Sequence, residues 1–240
     1  MMQGESKPAA SLLLAIDTCG PAGSVALGRR DGRGIELLGE IELAGRTYSA
    51  TVVAAVGELL RGAGVEVRDL GGIVAVHGPG SFTGVRVGLS SVKGLAEGAA
   101  IPVEVISRLE VLAWKASVRS SALDAHRGEV FLRMEGKGSG ATEIVAGARE
   151  LEAMAARPER LAVCDESAAA LLAAAWRGTE LIKVEAPLAS DALRAAEAMP
   201  GAGAWVDLAL LDGNYLRRSD AEIFGNEVLA PLDAAESKGK

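Results

Sequence analysis

Ser11-Leu12-Leu13-Leu14-Ala15-Ile16-Asp17, followed by Thr18-Cys19-Gly20-Pro21-Ala22-Gly23 and then Ser24-Val25-Ala26-Leu27, is the stretch on which the fold turns. An unbroken apolar run of this length, closed by a carboxylate, reads as a buried strand. The Gly/Pro segment Thr18–Gly23 reverses the chain, and Ser24–Arg30 returns as a second strand, so the pair is a hairpin. A second turn at Asp31–Gly34 leads into Ile35–Leu43, which extends the antiparallel sheet.

Downstream the period changes. In Thr47–Arg61 the residues Val52, Val53, Val56, Leu59 and Leu60 share one helical face, and Gly62 and Gly64 end the helix. Gly72–Val76 is a wholly apolar strand. It runs into His77-Gly78-Pro79-Gly80-Ser81-Phe82-Thr83-Gly84, a helix to about Gly98 and a strand over Pro102–Ile106. The order β-β-β-α-β-α then begins again. A helix from Ser107 to about Val118 precedes a strand Ser120–Asp124, a turn at Ala125-His126-Arg127-Gly128 and a returning strand Glu129–Met134. Ala122-Leu123-Asp124 before a hairpin echoes Ala15-Ile16-Asp17 before a hairpin. Two hairpin-led α/β units, duplicated β-β-β-α-β-α lobes, are the architecture of the actin, Hsp70 and sugar-kinase superfamily. Helices over Ala148–Ala156, Glu166–Trp176 and Ser190–Met199 alternate with strands at Leu161–Val163 and Leu181–Val184. Gly136–Gly140 and Pro200–Gly203 read as loops or lobe junctions. The expected division is a first lobe over 1–106, a second over 107–212, and a terminal segment 213–240 that returns to the first lobe and ends in a disordered tail.

Composition narrows the function. Of 240 residues 49% are hydrophobic but only 3% aromatic, so the core is aliphatic and closely packed rather than an aromatic binding module. A net charge of −7 makes the chain a poor lone binder of nucleic acid, because phosphate neutralisation needs clustered Lys and Arg. Any RNA contact must fall mainly to a basic partner. Cys19 and Cys164 match no metal spacing and read as free thiols of a reducing cytosol. Met1–Pro8 has no signal-peptide core, and Leu12–Ile16 is too short to span a membrane, so a cytoplasmic protein with no membrane association is expected.

Chemistry has few candidates. Asp17, beside its Gly-containing turn and Thr18, can hold a hydrated Mg²⁺ near a phosphate, or it can be a turn carboxylate that accepts backbone N–H groups. The segment Gly78, Pro79, Gly80, Ser81 stands at a strand-to-helix junction, where backbone amides can form an anion nest or a tight turn. It is not a Walker A loop, since no Lys follows its last Gly. In the helix that follows, Val85, Leu89, Val92 and Ala96 make one apolar stripe. Gly84, Gly88, Ser91 and Gly94-Leu95 make a second surface of small residues. Interior Gly costs roughly 1 kcal/mol relative to Ala, so another backbone approaches closely there: the sheet beneath or a helix of a second chain. Val52, Val56, Val85, Gly88, Leu89, Ser91, Val92 and Leu95 are the expected partner surface. His77 and His126 form no His-x-x-x-His pair, and Ser81 lacks a Gly-x-Ser-x-Gly elbow. Neither a catalytic residue nor a metal site is assigned.

Leu14-Ala15-Ile16-Asp17-Thr18, Ser24-Val25-Ala26-Leu27, Gly78-Pro79-Gly80-Ser81-Phe82-Thr83-Gly84-Val85-Arg86-Val87-Gly88-Leu89, Lys93-Gly94-Leu95-Ala96, Ile101-Pro102-Val103, Ala122-Leu123-Asp124-Ala125 and Tyr215-Leu216-Arg217 together resemble the TsaB (YeaZ) family. Tyr48 departs from its pattern, standing where the family often has His. The resemblance implies an actin-like fold and a non-catalytic role in placing threonylcarbamoyl on the N6 of the tRNA adenosine next to the anticodon. It implies a complex with a homologous catalytic subunit, TsaD, through Thr47–Arg61 and Val85–Gly98, and with a small ATPase, TsaE. It further implies a homodimer when the chain is alone, tRNA contact only through the complex, and no tightly bound cofactor, with ATP or ADP at the partner interface. The alternatives are a nucleotide-dependent enzyme of the superfamily and a glycoprotease-like peptidase. The first needs phosphate loops in both lobes, and Ala125–Gly128 is short and Gly-poor. The second needs the missing His pair.

Overall fold

Leu13–Ile16 are buried on both faces of their strand, as a central strand covered above and below requires. That strand organises the first lobe in the computed structural model, which describes residues 11–45, 47–135, 140–199 and 205–217. The expectations for Met1–Pro8, for most of the Gly136–Gly140 and Pro200–Gly203 loops, and for the tail lie outside these residues. The first lobe runs β1 (Ser11–Asp17), β2 (Ala22–Arg30), β3 (Ile35–Ala44), α1 (Tyr48–Ala63), β4 (Leu70–Val76), α2 (Phe82–Ala99) and β5 (Val103–Ile106). After α3 (Arg108–Lys115) the second repeats it: β6 (Ser121–Asp124), β7 (Glu129–Glu135), β8 (Ala141–Gly147), α4 (Ala148–Ala153), β9 (Arg160–Val163), α5 (Glu166–Ala175), β10 (Glu180–Lys183) and α6 (Ala189–Ala198).

The two sheets have one topology. The first is ordered β3-β2-β1-β4-β5 and the second, from its opposite edge, β8-β7-β6-β9-β10. In each, the opening hairpin is antiparallel and the last two strands add in parallel through helices. This duplicated order is the actin-like fold. Local chemistry sets the helix ends. Gly64, at φ 68°, closes α1 with its amide on Arg61 O. The Ser81 and Asp165 side chains accept the Gly84 and Ala168 amides at the starts of α2 and α5. The strand Ala141–Gly147 was not expected from sequence: seven small and mixed residues after a Gly-rich stretch carry little alternation.

The lobes exchange helices. Leu109 and Leu112 of α3 pack with Leu123, Phe131 and Ala162 of the second sheet. Ala189, Ala192, Leu193, Ala195 and Ala196 of α6 join the core of the first. The crossing is fastened by Ala189 N donating to Ser24 Oγ at 2.7 Å, Ser190 N donating to Glu40 at 2.8 Å, and buried Arg30 paired with Glu197 at 2.6 Å. Residues 205–217 run back over the first lobe, with Val206 N on Val103 O and Asn214 N on His77 O. Leu193 is wholly buried in the borrowed helix. Leu193→Ala should therefore cost about 2–5 kcal/mol, read as a lowered urea midpoint in a single transition that takes both lobes together.

Candidate functional site

β1, β4 and β5 run parallel, so their C-terminal ends lie on one edge of the first sheet, the edge at which parallel α/β sheets place ligands. Asp17 ends β1 and is 1% exposed. Its Oδ1 accepts the Cys19 amide at 2.8 Å, and its Oδ2 accepts Arg108 Nε at 3.1 Å. Both oxygens are thus engaged, one by a local turn and the other by an arginine from the first residue of α3. Arg108 is itself 5% exposed, its amide donates to Gly78 O at 2.6 Å, and its guanidinium lies so near Gly20 that a Cβ there would collide with it. Burial works to lower the pKa of Arg108, but the Asp17 carboxylate, with smaller help from Cys19 and Cys164, outweighs it and the net direction is upward. Burial, with Asp17 adding, pushes the Cys19 thiol well above its ordinary value, so it stays protonated and donates to Val76 O.

The hairpin loop after Asp17 is packed on every side. Thr18 Oγ1 donates to Gly84 O at 2.7 Å, and Cβ atoms on Gly84 and Gly88 would strike Thr18. Cys19 O accepts the Ser81 amide at 2.8 Å, and Gly80 approaches Cys19 too closely for any side chain. Gly78, at φ 115°, carries Asn214 against it. Tyr48 seats the loop on α1: its hydroxyl donates to Gly20 O at 2.8 Å and its ring lies under Gly23. Burial first, and Asp17 second, raise the Tyr48 phenol to about 12.

The second lobe keeps the same device in open form. Asp124 ends β6, and its Oδ1 accepts the His126 amide at 2.7 Å, as Asp17 does for Cys19. His126 Nδ1 lies 3.1 Å from its other oxygen, and Asp165 takes the Asp124 amide. Only Cys164 and Asp165 separate β9 from α5, so no glycine-rich loop stands opposite the one in the first lobe.

Asp17, Thr18, Gly78, Gly80 and Ser81 fall in one loop cluster, but their polar groups are taken by neighbours in the same chain: Asp17 by Cys19 and Arg108, Thr18 and the Ser81 hydroxyl by Gly84, and the Ser81 amide by Cys19. Carboxylate, hydroxyl and the Ser81 amide are consumed within the chain. The expected partner surface needs correction. Val52, Val56, Val85, Gly88, Leu89 and Val92 are buried in the first lobe's own core, and Ser91 and Leu95 are half-buried, with Ser91 Oγ bonded to Val87 O. The small residues at Gly84 and Gly88 admit the hairpin loop, not a second protein. Val53, read on one helical face with Val52 and Val56, is 58% exposed. Arg108 was missed. Its sequence signal is a cation at the first position of a helix, where the dipole favours acids and a nearby carboxylate is needed.

The fold and this closed cleft define an actin-like chain whose phosphate-type loop is occupied from within. The profile of the family described as TsaD, tRNA N6-adenosine threonylcarbamoyltransferase, matches residues 42–156. The tRNA threonylcarbamoyladenosine biosynthesis protein TsaB of Escherichia coli is 36% identical over 125 residues, 50% of this chain and 52% of that protein. The Haemophilus influenzae protein of the same name is 38% identical over 125 residues, 50% and 51% of the two chains. The matched region thus spans about half the length of these curated relatives. The solved structure of YeaZ from Pseudomonas aeruginosa superposes with a TM-score of 0.68 at 26% identity, covering 86% of this chain and all of that one. A second P. aeruginosa structure, described as an uncharacterized protein with similarity to peptidase YEAZ, gives 0.70 at the same identity and coverage. In sequence over half its length, and in fold over most of it, the chain is similar to the TsaB/YeaZ family.

Two outcomes follow from this packing. Gly88→Leu should destabilise the isolated chain by about 1–3 kcal/mol, seen as a lowered melting temperature in dilute solution; an unchanged melting temperature would place that face outside the core. The Tyr48 phenol rises from 10.0 to about 12 on folding, so the neutral form is the one the fold favours. Its contribution is full below pH 10 and is lost as pH climbs toward 12. Urea midpoints should fall over that interval, and fall less in Tyr48→Phe.

Proposed function

We propose that this chain is a non-catalytic subunit that supports threonylcarbamoyl transfer to the N6 of the adenosine next to the anticodon of tRNA, by associating with a TsaD homologue. The observation that carries this reading is the Asp17–Arg108 ion pair. A nucleotide-dependent enzyme of this fold needs a free carboxylate and free loop amides, whereas here an arginine of the same chain holds the carboxylate. The names of the curated relatives support the pathway, and the TsaD profile match supports kinship with the catalytic subunit.

The docking face is the exposed side of α1 and α2. Ala50, Val53, Ala54 and Gly57 on α1 and Ser90 and Gly94 on α2 are small and face outward or stand half-exposed, and open space lies beyond Gly57 and Gly94. Small residues let a second helix come close, and the apolar ones give the contact hydrophobic area. The same face serves a homodimer when the partner is missing. A TsaE-type ATPase joins the assembly, and tRNA is held chiefly by the other subunits, as the net charge of −7 requires. Nucleotide, if the assembly uses it, binds at subunit contacts and not in this cleft. A metal-dependent peptidase is disfavoured, since among the described residues no group of three or more His, Cys, Asp or Glu could hold a metal.

The test is reconstitution. Mixed with a purified TsaD homologue, a TsaE-type ATPase, ATP, a threonylcarbamoyl donor and unmodified tRNA, the chain should raise the yield of modified tRNA well above that without it. Val53→Glu should abolish association in ultracentrifugation while leaving the melting temperature unchanged. Calorimetric titration of the isolated chain with Mg-ATP should give no binding heat. Saturable ATP binding by the chain alone, or undiminished modification in its absence, would sink the reading.

A further inference from the structure

Arg86 stands one turn into α2, exposed, with no carboxylate partner among the described residues. It is nevertheless held in place. Its guanidinium carbon lies 4.4 Å from the Phe82 ring centroid and 5.8 Å from that of Tyr215. Those two rings are themselves stacked, 4.5 Å apart at 27°. Tyr215 arrives from the segment that crosses back over the first lobe, and Gly213 makes room for it: a Cβ there would meet both the Tyr215 ring and Val85. The chain therefore builds an aromatic platform from two distant segments under one exposed cation. Cation–π contact of this kind fixes a side chain that otherwise loses much rotamer freedom on binding.

Helical spacing aligns Arg86 with Ser90 and Gly94, at i, i+4 and i+8, on the exposed stripe of α2. We propose that Arg86 is the charged anchor of the docking face and takes a carboxylate of the partner protein. The proposal rests on the assembly reading above. Carboxylate on a protein fits better than phosphate on RNA for two reasons. A polynucleotide site needs several clustered cations, whereas α2 carries two, Arg86 and the half-buried Lys93, with the exposed carboxylate of Glu97 one turn beyond. The cation also rests on the Phe82 and Tyr215 rings, and arginine and tyrosine are the residues that most often carry the binding energy of protein interfaces.

The test compares Arg86→Ala, Arg86→Lys and Tyr215→Leu for affinity toward the TsaD homologue by titration, with melting temperature and tRNA binding by the complex measured alongside. Arg86→Ala should weaken association about thirtyfold, the equivalent of a hot-spot loss of about 2 kcal/mol, with the melting temperature unchanged. Arg86→Lys should recover only part of this, because the ammonium lacks the planar fork. Tyr215→Leu should weaken association less than Arg86→Ala, by freeing the guanidinium. Wild-type affinity in Arg86→Ala overturns the anchor while leaving the assembly reading intact. Normal association with lost tRNA binding overturns it in favour of an RNA phosphate. A wild-type chain that does not associate refutes the assembly reading and the anchor with it.

Discussion

The structure depends on one contact made across 91 residues of sequence, the buried ion pair between Asp17 at the end of β1 and Arg108 at the start of α3. Two charges removed from water are costly unless each is paired and bonded elsewhere. Here the conditions are met: the second Asp17 oxygen holds the Cys19 amide. The Arg108 backbone ties to Gly78. One pair thereby fixes the hairpin loop, the glycine-rich segment and the start of α3. Losing either partner would leave the other charged, buried and alone.

The glycines take their meaning from that loop. Gly80, Gly84 and Gly88 are spaced along a loop and a helix, yet all three serve one neighbour, the Thr18–Cys19 turn. Backbone is brought against backbone so that polar groups which could face a ligand face each other. Tyr48 completes the enclosure from α1. Where the TsaB family that the chain resembles often carries His, a phenol with a raised pKa gives a donor that keeps its proton across the physiological range.

Much of this was legible because it is written in local chemistry. The apolar run into Asp17, the glycine-rich junction and the echo at Asp124 announce strand ends and turns, and the duplicated topology follows from them. Other parts are not local. Arg108 gains its role from a residue 91 positions away. Helical periodicity located the apolar face of α1 correctly at Val52 and Val56, but an apolar face is first a core face. The outward stripe of Ala50, Ala54 and Gly57 carries almost no hydropathy signal. Gly88 shows the same ambiguity: a small residue says that something comes near, and not whether it belongs to the same chain.

The exchanged helices bear on how the chain is made. The first sheet is synthesised early, but one of its covering helices, α6, lies at Ala189–Ala198, after every strand of the second lobe. On a ribosome that delivers the N-terminus first, the inner face of β1 and β2 must wait, unshielded, until nearly 200 residues have been made. Vectorial folding in two independent steps is denied to this chain, and its nascent form is a client for whatever covers aliphatic surface in the cell.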